Sequence, residues 1–347
     1  MGVTFVTPIF ATAKFTSAGD SKMSVAVGLI GAGVMGKEHG RILSTHTPNA
    51  HLAGVCDYEP EKARAIAGNA SVYSDPFDLI NSNEIDAVLI ASPDSTHAEL
   101  VLACIEAGKP VLCEKPLAMT ADQANQIVEA ECLKGRAHVQ VGYMRRFDPG
   151  YEELKRLFEA NAIGKPEILH NFHRNPVAPD WMTGDMLITN AFVHEIDVMR
   201  WLLGTELEAV RITVAEKGDP MMIVARLANG AMSSTELYMN CKFGYQVHAE
   251  LVGDEGTVSL PEFSAPIVNK SYHRGAHVPR NWVPRFAAAY QGQTRSWVNS
   301  VATGVPSHGA TAWDGYITTL IAEQLAARVS TDSTIELAIP PRPLLYR

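Results

Sequence analysis

The sequence predicts an α/β protein: a doubly wound parallel sheet over residues 23–144, followed by a second α/β region over residues 145–347. Three observations predict it. Apolar strand-like runs alternate with helical stretches through the first region, the pattern of parallel strands with crossover helices. The first such run enters a G-x-G-x-x-G turn at Gly31, Gly33 and Gly36. After Pro149 the rhythm changes to longer strand-like segments, with turns at Asn229–Gly230 and Gly253–Gly256. A chain of 347 residues is too long for one ordinary domain and fits two.

Each element of the first region has its own warrant. Val25–Ile30 is unbroken apolar sequence, as expected of a strand buried on both faces. The glycines permit a tight turn, close approach of a ligand and close helix–strand packing, and "VMGKEHGRIL" then opens a helix. Gly31, Gly33, Val34, Met35 and Gly36 would thus offer backbone N–H groups to the pyrophosphate of a dinucleotide. The strand "HLAGVCD" ends at Asp57, about 20 residues beyond the last glycine, where an acid meets the adenosine ribose. Asp57 would repel a 2′-phosphate and the next residue is Tyr58, not Arg, which favours NAD over NADP. "AVLIAS", "PVLCEK" and "HVQVGYM" continue as strands, with helices between them. Ligands bind off the carboxyl ends of such strands. That places Ser92, Pro93 and His97 of "SPDSTH", and Glu114 and Lys115 of "CEKP", beside the cofactor. A lysine ending a buried strand is a candidate for chemistry; the plain alternative is a solvated strand end. A cis Lys115–Pro116 bond would re-aim its side chain.

Composition narrows the class. A net charge of −9 argues against a nucleic-acid surface or a polybasic membrane contact. No apolar run reaches the ~18–20 residues needed to span a bilayer. The five cysteines are odd in number and form no CxxC, and Cys56, Cys104 and Cys113 lie in apolar runs. A reducing compartment, the cytoplasm, is therefore expected, with no disulfide frame. No metal cluster is expected, and no Ser/His/Asp or Cys/His set suggests a hydrolase. Residues 1–22 lack a signal-peptide pattern and read as a disordered extension or a start placed too early, with the first strand beginning at Met23.

In the second region "GYEELKRLFEANAIG" reads as a helix ending at Gly164, and "KPEILHNFHRNP" as a strand. In that strand His170 and His173 point to opposite faces. "NAFVHEIDVMRWLLG" has helical spacing, which puts Asn190 and His194 on one face and turns Glu195 and Asp197 away. An acid at the Asn190 position would steady an imidazolium at His194. The amide can hold the ring through its carbonyl oxygen but supplies no charge, and a need for higher pH is the expected consequence. The plain alternative for His194 is a satisfied core histidine.

The segments "GLIGAGVMG", "ASPDSTHAEL", "GKPVLCEKPLA" and "GYMRRFDPGY" together resemble the Gfo/Idh/MocA oxidoreductases. "HRNP", "VHEIDVMRWLLG", "ELYMNCKFGYQVHAELVGDEGTVSLP" and "TAWDGY" are similar to the bacterial inositol 2-dehydrogenase branch. The resemblance runs from about Met23 to about Gln324. It implies a Rossmann domain, a second domain with a large open mixed sheet, and a homotetramer. It implies NAD-linked oxidation of a ring hydroxyl of myo-inositol to a ketone. The family's catalytic lysine falls on Lys115 and its Asp-x-x-x-His pair on Asn190 and His194, so the acid is missing. Arg145, His173, Asn175 and Tyr245 would grip the other hydroxyls, although Tyr245 reads equally as sheet packing. Asp314 would reach a hydroxyl or cap a helix. Two other readings stay open: a dehydrogenase for another cyclic polyol or aldose, and a non-catalytic NAD-binding regulator.

Overall fold

Val25–Ile30 (β1) is buried at every residue because it runs through the middle of a seven-stranded sheet. In the computed structural model, which describes residues 24–180, 182, 184–261, 267–329 and 333–347, two large sheets organise the chain. The 1–22 extension and Met23 lie outside the described residues.

The first sheet comprises β1, β2 (Ala50–Cys56), β3 (Ser71–Tyr73), β4 (Ala87–Ile90), β5 (Val111–Cys113) and β6 (Val139–Val141) in the parallel order β6-β5-β4-β1-β2-β3. This is the doubly wound order, reversing direction at β1. Its helices are α1 (Val34–His46), α2 (Pro60–Ala67), α3 (Pro76–Asn81), α4 (His97–Glu106) and α5 (Ala121–Lys134). Thr120 caps α5 by accepting from Gln123 N, and Gly135 ends it in the left-handed region.

The second region starts with α6 (Pro149–Glu159), which stops short of the expected Gly164 because the chain turns at Asn161 (φ 55°). Next come β7 (Pro166–Arg174), α7 (Val193–Leu203), β8 (Leu207–Val214), β9 (Met221–Leu227), β10 (Met232–Tyr238), β11 (Gln246–Gly253) and β12 (Thr257–Ser259). A separate hairpin pairs β13 (Ile267–Lys270) with β14 (His273–Ala276). The helices α8 (Trp282–Arg285) and α9 (Ala287–Thr303) follow, then β15 (Ala310–Thr311), α10 (Ala312–Ala326) and β16 (Thr334–Glu336). The second sheet has the order β12-β11-β7-β10-β9-β8-β16. It is mixed: β7 and β10 are parallel, and the other pairs are antiparallel.

Burial along β9 alternates strictly, so one face of this sheet is covered and the other open. Met222, Val224 and Met232 are exposed on the open side. The sheets do not divide the chain into two consecutive halves. β15 adds an antiparallel edge to the first sheet beside β6, and α9 and α10 pack on α1 and α5. The last quarter of the chain therefore returns to the dinucleotide side, and this closes a cavity between the two regions.

Candidate active site

The glycine turn explains itself when a Cβ is added at each position. At Gly31 (φ +97°) it would stand 2.4 Å from Ala91 O, and at Gly36 1.9 Å from Gly31 O. Both positions need glycine for packing. At Gly33 a Cβ would meet nothing within 4 Å, so there the missing side chain leaves room for a ligand. Among the described residues no side chain caps the amino end of α1, which leaves its first N–H groups to an incoming anion. Val34 is exposed at this end, and Met35 faces the cavity. Asp57, at the end of β2, accepts from Ala32 N (2.6 Å) and Glu59 N (2.8 Å), so it also braces the glycine turn. Room at Gly33, free N–H groups on α1 and an acid after β2 fit a dinucleotide.

A cavity of about 260 Å³ opens off the carboxyl ends of β4 and β5. Lys115, His173, Asn175, Asn190, His194 and Tyr245 all line it. Residues from 115 to 245 thus meet through three structural devices. The Lys115–Pro116 bond is cis, and the Lys115 ammonium donates to Asn190 O (3.3 Å). β7 places His173 inward and His170 outward, where its Nδ1 lies 2.7 Å from Ser234 Oγ. Asn190 belongs to a π-helical turn, Ile188–Phe192, that runs directly into α7 and His194.

That turn corrects the expected link between Asn190 and His194. The i,i+4 relation assumes an α-helix throughout, whereas a π turn changes the phase. The Asn190 amide nitrogen donates back to Met186 O (3.1 Å) and to Thr189 Oγ1 (3.2 Å). Among the described residues, His194 Nδ1 is buried without a hydrogen-bond partner. Burial and then the positive charges of Arg145 and Lys115 hold the imidazole well below its ordinary pKa. The expected need for higher pH therefore reverses sign: a ring that binds its proton weakly is already a free base at neutral pH.

Arg145 does not line the cavity. It is 1% exposed, paired with Glu195, and its guanidinium lies 5.8 Å from the centre of the Phe286 ring. It acts from behind the wall because a buried guanidinium must be paired. Phe286 in turn packs edge-on against Tyr245 (6.2 Å), whose phenol burial pushes up to about 12. His97 lines the cavity, with its ring held from both sides. Its Nδ1 lies 2.7 Å from Pro116 O and its Nε2 3.0 Å from Ser92 O, which ties the "SPDSTH" loop to the "EKP" turn. Ser92 Oγ bonds Thr96 Oγ1 (2.7 Å) in that loop, just ahead of its short helix at Pro93. Glu114 lines the cavity and meets His39 Nε2 (2.7 Å) from α1. Asp314 forms a capping box with Thr311 and pairs with Arg146 (3.3 Å), so it caps a helix and does not line the cavity. Asn175 Oδ1 is buried and has no partner among the described residues, an acceptor ready for a ligand's hydroxyl.

Sequence reasoning missed Glu195 as a partner of His173 and Trp282 and Tyr290 as cavity walls. The acid directly after His194 was the available signal for the first. Trp282 and Tyr290 come from helices that return late and carry no local signal.

Residues 25–143 match the oxidoreductase family with an NAD-binding Rossmann fold, and residues 151–259 match the GFO/IDH/MocA C-terminal domain. The chain belongs to the Gfo/Idh/MocA oxidoreductases. It is 43% identical to inositol 2-dehydrogenase 1 of Saccharopolyspora erythraea, over 93% of this chain and 99% of that one. Inositol 2-dehydrogenase of Klebsiella pneumoniae subsp. pneumoniae is 39% identical over 94% of this chain and 100% of the relative. The crystal structure of myo-inositol dehydrogenase from Lactobacillus casei, in complex with NAD(H) and myo-inositol, superposes with a TM-score of 0.89. It is 32% identical and covers 94% of this chain and 100% of its own.

Proposed function

We propose that the chain oxidises myo-inositol to its 2-keto derivative, scyllo-inosose, with NAD. The observation that carries this reading is the meeting of Lys115 and His194 in one cavity at the carboxyl end of the glycine-turn sheet. The relatives' names and the similar structure supply the substrate class.

The residues of this chain divide the work. The N–H groups at the start of α1 would hold the pyrophosphate over Gly33, and Asp57 the adenosine ribose. Bound NAD supplies the hydride acceptor. His194, neutral at neutral pH, takes the proton of the reacting hydroxyl. The Lys115 ammonium donates to the same oxygen and stabilises its developing negative charge. Asn175 accepts from a neighbouring hydroxyl, and His173 and Tyr245 orient the ring. Arg145 holds Glu195 from behind and touches no substrate. Unpaired acceptors such as Asn175 Oδ1 reject a deoxy analogue, because it would leave them buried without a partner.

The same reading takes residues 23–144 as the NAD-binding part and 145–347 as the substrate and assembly part. The open face of the second sheet, with exposed Met222, Val224 and Met232, is a fit surface for assembly into a homotetramer. Five unpaired cysteines suit the cytoplasm, and oxidation of a ring hydroxyl suits a role in inositol catabolism.

The test is NADH absorbance on mixing purified protein with NAD and myo-inositol, with scyllo-inositol, chiro-inositol and glucose alongside. Turnover on myo-inositol with NAD, and little with NADP, supports the reading. Turnover only on another polyol reassigns the substrate. NAD binding with no turnover on any polyol contradicts catalysis.

A further inference from the structure

The acid missing beside His194 has a counterpart one residue further on. Glu195 is 1% exposed, and its carboxylate oxygens lie 3.1 Å from His173 Nδ1. Arg145 pairs with the same carboxylate through Nη1, and its Nη2 lies 3.3 Å from His173 Nδ1. These contacts decide where the imidazole hydrogen sits. A guanidinium only donates and an ionised carboxylate only accepts. His173 Nδ1 either carries hydrogen and donates to Glu195, or is bare and accepts from Arg145. The second arrangement sets a lone pair against carboxylate lone pairs in a site closed to water. The first makes a charge-assisted bond and leaves the Arg145–Glu195 pair intact. Burial opposes ionisation of Glu195, but the charge of Arg145 and the hydrogen bonds the carboxylate accepts from Arg145 and His173 outweigh it and hold the carboxyl below its ordinary range.

We propose that Glu195 is a positioning residue that keeps the ring hydrogen of His173 on Nδ1, so that Nε2 meets the cavity as an acceptor for a substrate hydroxyl. The hydroxyl rests on the polyol reading above; the tautomer does not. The arrangement is also a specificity device. An acceptor nitrogen demands a donor, so it rejects an O-methyl ether at that ring position as well as a deoxy carbon.

The experiment has two arms. Nitrogen-15 NMR of histidine-labelled protein reads the tautomer without turnover, with the His173 signals assigned by their loss in His173→Gln. The wild type should show hydrogen on Nδ1 of His173 and a bare Nε2, and Glu195→Gln should lose that preference. Kinetics reads the consequence: Glu195→Gln should raise the KM for myo-inositol about 10- to 100-fold, with a smaller change in kcat. The KM for NAD should stay near its wild-type value. In a His173→Ala background the same substitution should add little further loss. A bare Nδ1 in the wild type, or a full additive loss in the His173→Ala background, overturns the proposal; the first result decides even if Glu195→Gln fails to fold. A wild type with hydrogen on Nδ1 but no turnover on any polyol keeps the tautomer and removes the polyol reading.

Discussion

Two imidazoles face the same cavity, 6.3 Å apart between ring centres, and they are supported in opposite ways. His173 stands on a strand and leans on a buried carboxylate that a guanidinium holds ionised. His194 stands at the start of a helix with no partner for Nδ1 among the described residues and an amide, turned elsewhere, in place of an acid. The difference separates two tasks. A ring fixed by a carboxylate keeps one tautomer and suits orientation. A ring without one stays neutral at working pH and is free to take a proton.

The largest expected effect breaks the second ring. His194→Ala should lower kcat/KM by about 10²- to 10⁴-fold, the usual worth of a placed acid–base group. Stopped-flow NADH formation checks it, and a near-native rate and pH profile would move the proton to Lys115. Removing the support of the first ring should act on stability. Glu195→Ala leaves Arg145 charged and unpaired in the interior and should cost about 3–5 kcal/mol by urea unfolding.

The pH dependence of stability separates the two rings in another way. The folded pKa of His194 lies below its ordinary 6.5, so the unfolded chain binds more protons as pH falls. Its contribution is present above pH 6.5 and is lost as pH drops toward the folded value. The Glu195 carboxyl is also depressed, from 4.5, so its contribution is lost only below that pH. A melting-temperature series should therefore decline from about pH 6.5 in the wild type, and His194→Phe should flatten the upper part of that decline. Asn190→Asp sharpens the comparison by adding an anion to the cavity wall that His194 shares. The acidic limb of kcat/KM should then move to higher pH by about 1 unit or more. The smallest effect belongs to Asn190→Ala, which loses only local bonds and should cost about 0.5–1.5 kcal/mol of stability.

The sequence made the dinucleotide half legible because its structure is local. A strand buried on both faces must be a run of apolar residues, as Val25–Ile30 is, and Gly36 is required by a contact with Gly31 that their own turn creates. That His170 and His173 point to opposite faces followed from strand periodicity; which of them faces inward did not. The environment of His194 was not legible for the opposite reason. The π turn at Ile188–Phe192 breaks the α-helical phase, and no residue type announces it. The partnership of Glu195 joins α7 to Arg145 and to β7, across separations of 50 and 22 residues. Such pairs are set by how the two sheets meet, as is the return of β15 to the first sheet.

The most direct test of the account follows the hydrogen itself. Myo-inositol carrying deuterium at the carbon of its axial hydroxyl would be mixed with the protein and NAD, and the reduced cofactor analysed by mass spectrometry. The account predicts NADH one mass unit heavier and a ketone at the former deuterated carbon. Unlabelled NADH, or no reduced cofactor, would contradict it.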